Sequence, residues 1–319
     1  TGGTYVGTSV GSAPSYGLAT LLTSNPTITA DTTYTAWFNR NEYTITVATG
    51  GNGSVKVTSE NNTTGVTATA SGSNKTLTAR YGEKITGTAT ANSGYTFTEW
   101  TSGFSGTIAN PATLTVKSAM TVNAGFADKT APSPSISTTS NLKATSQTAT
   151  LKCTDEVGVT SYYWGTNAYP AASDYTTITS TTSMSVNKTV SAAGTYYLIC
   201  KDAAGNASSI TKTYRSYTVN NMLLNVKGSK GKYATANYTS ASTKTYIIPF
   251  LTVITLTNIY TAPTGGTYVG TSSGLPPSSG NSATLLTSNP TIMENTTYTA
   301  WFNRNEYTIT VATGGNGSV

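Results

Sequence analysis

The chain repeats itself, and the repeat limits what it can fold into. Residues 36–55 read AWFNRNEYTITVATGGNGSV, and residues 300–319 read the same letters. The identity reaches further back. TGGTYVGTS at 1–9 returns at 264–272, and ATLLTSNPTI at 19–28 returns at 283–292. The loop between them changes, from SAPSYGL to LPPSSGNS, which is one residue longer, and the three residues after ATLLTSNPTI change from TAD to MEN. Near-identity with variation concentrated in a loop marks a tandem array, here one period of about 264 residues plus an overlap. The expectation is a window of a longer repetitive protein. Thr1 enters in mid-unit, and Val319 stops where the first copy continues as Lys56-Val57-Thr58.

Within the period, apolar and polar residues alternate, and no window of 11–18 residues carries a helical period. Charged residues are only 9% of the chain, against roughly 25% in ordinary globular proteins. Thr and Tyr, which favour strands, and Gly, Asn and Ser, which favour turns, fill the space instead. The fold class is therefore all-β, and 319 residues suffice for two or three small domains. The net charge of +6 is spread thinly; GSKGKY at 228–233 is the nearest approach to a basic cluster, so no nucleic-acid partner is expected. No apolar run approaches the ~20 residues of a membrane span.

Taken in order, residues 1–38 read as the C-terminal part of a β module whose complete copy occupies 220–302. Both end on TTYTAWF, and NRNE (39–42) then leads directly into the next strand. Such a short linker leaves little room for a hinge. Residues 43–127 form the next module. Its opening YTITVATGGNGSVKVT reads as a hairpin around GGNG, whose glycines supply positive φ. Its close places Val122, Ala124 and Phe126 where the first module has Tyr34, Ala36 and Phe38, so the two read as distant copies. Residues 128–219 open with the Pro-bearing ADKTAPSPSI. They carry strands TATLKCTDEVGV, SYYWG and GTYYLICKDAAGNASS, separated by turns. In 220–302 the strands are MLLNVKG, KYATANYT, KTYIIPFLTVITLTNIY and TTYTAWF, and 307–319 starts the following module.

The run from Tyr43 to Phe126, with YTITV, GGNGSV, YGEKIT, GYTFTEW and TVNAGF, resembles the divergent InlB B-repeat of bacterial surface proteins. It departs in its long insert, SENNTTGVTATASGSNKTLTA. The resemblance implies a small β-grasp-like or all-β repeat on a bacterial surface and no catalysis. Residues 128–219 resemble the bacterial Ig-like domains of large adhesins, on the Asp202–Asn206 turn and on the spacing Cys153, Trp164, Cys200. Leu198 stands two residues before the second cysteine, so a tyrosine corner is not in its usual place. Together the resemblances imply small β modules and an Ig-like β-sandwich arranged as an extended rod.

Few residues offer chemistry. Cys153 and Cys200 each share a strand face with apolar neighbours, so both point into one core. A structural disulfide there would close about 47 residues and add roughly 4 kcal/mol by chain entropy; two reduced core thiols are the alternative. The chain has no histidine, which removes Ser-His-Asp and Cys-His mechanisms. The carboxylates Glu60, Glu83, Glu99, Asp155, Glu156, Asp174 and Asp202 are scattered and read as surface or turn residues, so no enzyme and no cofactor is expected. By analogy with large adhesins, Asp128, Asp155 and Asp202 are candidates for calcium at a domain junction, but the chain is poor in the acids that six to eight oxygen ligands need. Turn capping is the competing role. The 21 tyrosines and four tryptophans allow a polysaccharide platform, against which stands the packing role of Trp37, Trp100, Trp164 and Trp301 in strands.

The reading is a structural stalk segment of an extracellular bacterial surface protein. Its partners are neighbouring repeats and, laterally, other fibres; an adhesive tip would lie elsewhere. A secreted polysaccharide-binding module is the alternative.

Overall fold

Alternating residues become strands along most of the chain, because a pleated strand sends successive side chains to opposite faces. The computed structural model describes residues 2–14, 19–104, 106–224, 238–277, 283–310 and 312, which divide into units 1–130 and 131–319. Among the described residues there is no α-helix, only two short 3-10 turns. Most of the tract 307–319 and of KYATANYT lies outside the described residues, as does GSKGKY.

In the first unit, β1 (Gly3–Val10) and β2 (Tyr34–Arg40) form a two-stranded antiparallel sheet. Asn41 then leads into β3 (Glu42–Val47), β4 (Gly53–Ser59), β5 (Asn62–Ala68), β6 (Lys75–Arg80), β7 (Lys84–Ala91), β8 (Tyr95–Ser102), β9 (Ala112–Thr115) and β10 (Met120–Asp128). These make two four-stranded sheets, ordered β6-β3-β10-β8 and β5-β4-β7-β9. Ile45, Val47, Leu77, Val122 and Ala124 from the first share one buried core with Val55, Val57, Ala68, Ile85 and Ala89 from the second. Trp100 and Phe104 complete that core, their rings 4.9 Å apart and edge-on. They close over Gly87, where an added Cβ would lie 2.3 Å from Phe104 and 2.9 Å from Trp100.

The expected hairpin 43–58 does not form. β3 pairs with β6 and β10, while β4 pairs with β5 and β7, so GGNG carries the chain from one sheet to the other. Gly51 (φ 99°) supplies positive φ as expected, but the second such residue is Asn52 (φ 63°), not a glycine. Both strands bury every second residue, and that pattern serves strands facing each other across a core as well as strands lying side by side. The insert 59–79 builds β5 and most of β6, one strand in each sheet.

The second unit contains β11 (Ser133–Thr138), β12 (Gln147–Gly165), β13 (Thr176–Val190), β14 (Gly194–Asp202), β15 (Ala207–Leu224), β16 (Tyr238–Pro249), β17 (Gly266–Ser273) and β18 (Thr296–Arg304). TATLKCTDEVGV and SYYWG, expected as separate strands, are one long β12. An irregularity between Thr154 and Val159 divides it: its first half pairs with β11 and its second with β14, while β13 follows both. The fold brings Ala149, Leu151, Cys153, Val190, Leu198, Cys200 and Tyr214 into one core.

β15 serves two cores. Residues 207–214 pair with β14, and residues 214–224 pair with β16 on one edge. On its other edge residues 217–224 run parallel to β18. Tyr217, Val219, Ile248, Ile254, Ile259, Ala300 and Phe302 form the second core there. The boundary expected at 219/220 thus falls inside an uninterrupted strand. Gln147 ties the two parts further, donating from Nε2 to the carbonyls of Asn141 (2.7 Å) and Ile247 (2.6 Å). The run 244–260, expected as a strand, stops at Pro249, which cannot donate to a ladder. There the chain turns, with Leu251 at φ 63°, and crosses over to residues 289–292.

Candidate functional site

Cys153 and Cys200 are disulfide-bonded, 47 residues apart in sequence with Cα atoms 6.1 Å apart, and both are fully buried. The bond links the first half of β12 to β14. Trp164 stacks on Tyr196 at 5.1 Å, and Tyr196 meets the edge of buried Tyr214 at 5.7 Å. Burial of Tyr217, with Tyr246 and Tyr298 beside it, pushes its phenol well above the ordinary range. That buried hydroxyl donates to the Leu142 carbonyl.

Most of the carboxylates considered for chemistry hold turns, while Glu99 and Glu156 lie exposed on β8 and β12. Asp128 accepts from the Thr130 amide at 3.0 Å, and Asp155 from the amides of Val157 and Gly158 at 2.8 Å each. Asp202 accepts from the backbone and side chain of Asn206 at 2.8 and 2.7 Å. Asp174 accepts from the Ala171 amide and Glu60 from the Lys84 amide. Among the described residues no three of His, Cys, Asp and Glu gather as a metal-binding group.

Glu83 has the most definite role, one that scattered acids in a sequence do not signal. Its side chain accepts from the amides of Asn61 (3.0 Å) and Arg80 (2.9 Å), joining the β4–β5 turn to the β6–β7 turn. Burial works to raise its carboxyl. The hydrogen bonds from the Arg80 amide, the Ser59 hydroxyl and Asn61 outweigh this and hold it at about 2, below the ordinary 4.5. A carboxyl lowered on folding stabilises above its unfolded pKa, and that stability fades as pH falls from 4.5 towards 2. Glu83→Gln is therefore expected to cost the first unit about 1–2 kcal/mol at pH 7 and to flatten its acid dependence in that window. Denaturant titrations at pH 7 and pH 3 check both; equal losses at the two pH values would remove the carboxylate's charge from the account.

Residues 43–130 match the family model of the divergent InlB B-repeat domain. The match starts at the first aromatic of β3 and ends with the first unit, so it spans the whole two-sheet core. This kind of domain is typical of surface-exposed bacterial proteins, and the match suggests a bacterial surface repeat module at residues 43–130, called here the B-repeat unit. Glu83 and Trp100, in its YGEKIT and GYTFTEW segments, fasten its turns and fill its core. No curated protein and no solved structure matches the chain. Among the described residues no helix is long and apolar enough to cross a membrane.

The twofold stretch ahead of the B-repeat unit folds alike in both places. Tyr5 opposes Phe38 as Tyr268 opposes Phe302, with the same irregularity at the next pair, before Gly7 and Gly270. Trp37 donates to Ser9 Oγ at 2.8 Å, and Trp301 to Ser272 Oγ at 3.0 Å. Thr35 donates to the Gly11 carbonyl and Thr299 to the Gly274 carbonyl. The surroundings differ. Phe302 and Trp301 are fully buried, whereas Phe38 is 60% exposed and Trp37 half-buried. Ile292 is buried and its counterpart Ile28 is 62% exposed. In the first copy an open cleft of about 520 Å³ lies over Tyr5, Leu22, Pro26, Ile28 and Tyr34.

Proposed function

We propose that this chain is a non-catalytic stalk segment of a long tandem-repeat bacterial surface protein, in which β modules follow one another to form an extracellular fibre or adhesin rod. One observation carries the reading: the hairpin that precedes the B-repeat unit recurs about 264 residues later with the same register and the same side-chain hydrogen bonds. A copy preserved at that level is a unit of construction, stable through its neighbours as repeat arrays are. Asn41 alone separates β2 from β3, and β15 runs through two cores without a break, so successive modules leave little slack. The disulfide, with Trp164 stacked nearby, supports the Ig-like reading of 128–219 and an oxidising, extracellular setting.

Electron microscopy of the native material tests this reading. Three modules per period, each about 30–40 Å long on strands of 8–10 residues, predict filaments with an axial repeat near ~100 Å. Discrete particles in place of filaments would remove the stalk. The polysaccharide-binding alternative needs aromatics gathered on one exposed face. Trp100 and Trp301 are instead buried in cores, and retention of the chain on immobilised glycans would be needed to revive it.

A further inference from the structure

Among the described residues two strand pairs are parallel, β3–β10 and β15–β18, and they have the same construction. In each, the strand that opens a module lies beside the strand that closes it, and an antiparallel strand, β8 or β17, takes the closing strand's other edge. β2 is a closing strand of the same sequence as β18, with β1 as its antiparallel neighbour. Among the described residues nothing pairs with its other edge. That edge, TTYTAWFN at 32–39, carries none of the charges or prolines that protect free strand edges.

The second copy displays what fits there. Residues 217–224 pair with 296–303, setting Met222 against Trp301 and Leu223 against Phe302. Residues 250–260 then cover the face. Ile254 donates its amide to the Pro290 carbonyl (3.0 Å), and Leu256 donates its amide to Asn289 Oδ1 (3.1 Å). Tyr260 stacks on Tyr268 at 4.2 Å. Every acceptor has its equivalent in the first copy: Asn25, Pro26 and Ile28 at the cleft, Tyr5 for Tyr268, and Trp37 and Phe38 on the strand. The Ser216 amide, bound by Asn295 Oδ1 at 3.0 Å, would meet Asp31, again a side-chain oxygen.

We propose that the β1–β2 face is an acceptor for a second copy of residues 214–260, supplied by an adjoining repeat. Its strand 217–224 adds in parallel beside residues 32–39, and its 250–260 segment fills the cleft over Ile28. Residues 217–224 of this chain are already engaged by β18, so the occupant proposed for the first hairpin is a second copy of that segment. The source of the segment rests on the tandem-repeat reading; the docking itself does not.

The probe is a labelled polypeptide of sequence 214–260, titrated into the full chain, with a scrambled polypeptide as control and hydrogen exchange read by mass spectrometry. Saturable binding is expected, with slowed exchange at 32–39 and 25–28. Phe38→Lys and Ala36→Arg, both at exposed positions that folding tolerates, should each weaken binding at least tenfold. Tyr169→Lys, at an exposed site in the second unit, should leave it unchanged. The proposal is overturned by absence of saturable binding, by slowed exchange confined to 296–304, or by full affinity in both hairpin variants. Fibres in the microscope without docking would spare the stalk and remove the acceptor; docking without fibres would do the reverse.

Discussion

Phe302→Ala is expected to lower the stability of the second unit by about 3–5 kcal/mol, and Phe38→Ala that of the first by less than about 1 kcal/mol. The two phenylalanines occupy the same sequence and the same strand register. Phe302 is fully buried, edge-on to Tyr260 at 5.2 Å and near Tyr268 at 5.8 Å, so truncation leaves a cavity among packed rings. Phe38 touches Tyr5 at 5.6 Å and otherwise faces solvent, so its removal leaves little void. Denaturant melts of both variants, with exchange protection assigning each transition to its unit, measure the difference. Equal losses would mean that the two copies share one environment, against the burial described above.

The second large effect belongs to the disulfide. The double variant Cys153→Ala, Cys200→Ala is expected to cost the second unit about 2–5 kcal/mol, since it frees a closed loop of 47 residues in the unfolded chain. Alanine avoids placing hydroxyls at positions that are fully buried. The B-repeat unit contains no cysteine, so its melting should not move, and reduction of the wild-type chain should reproduce the variant. A shift in both units would show that the substitutions act through something other than this cross-link.

What the sequence made legible was local. Alternation along Tyr43–Val47 and Val55–Val57 identifies strands and their buried sides, and all of Ile45, Val47, Val55 and Val57 are buried. Alternation has no term for which strand lies beside which, so GGNG read as a hairpin where it is a passage between sheets. The 219/220 boundary failed for a related reason. A strand that changes partners midway keeps its period, and nothing in TKTYRSYTVNNMLL marks the change at Tyr214. The cysteine faces were readable because each thiol stands in step with Leu151 or Leu198 on its strand. Glu83 was not, because its role depends on bringing its own turn at Arg80 beside the turn at Asn61, 22 residues earlier in sequence. Nor can identical letters reveal that one hairpin is covered and the other open, since burial there is decided by residues 217–260.

The parallel pairing of opening and closing strands bears on how such modules take a load. The B-repeat core is entered at β3 and left after β10, and these strands run the same way, so tension on the two ends pulls them past each other. The hydrogen bonds of that ladder are then stretched together, as a lap joint is, whereas a hairpin pulled from its open end gives way one pair at a time. β15 and β18 set the same arrangement in the second unit over the eight pairs from Tyr217↔Thr296 to Leu224↔Asn303. Resistance to forced extension is governed by the unfolding barrier more than by equilibrium stability. Single-molecule pulling would therefore meet its highest forces at these two lap joints, and the lowest at strands that peel.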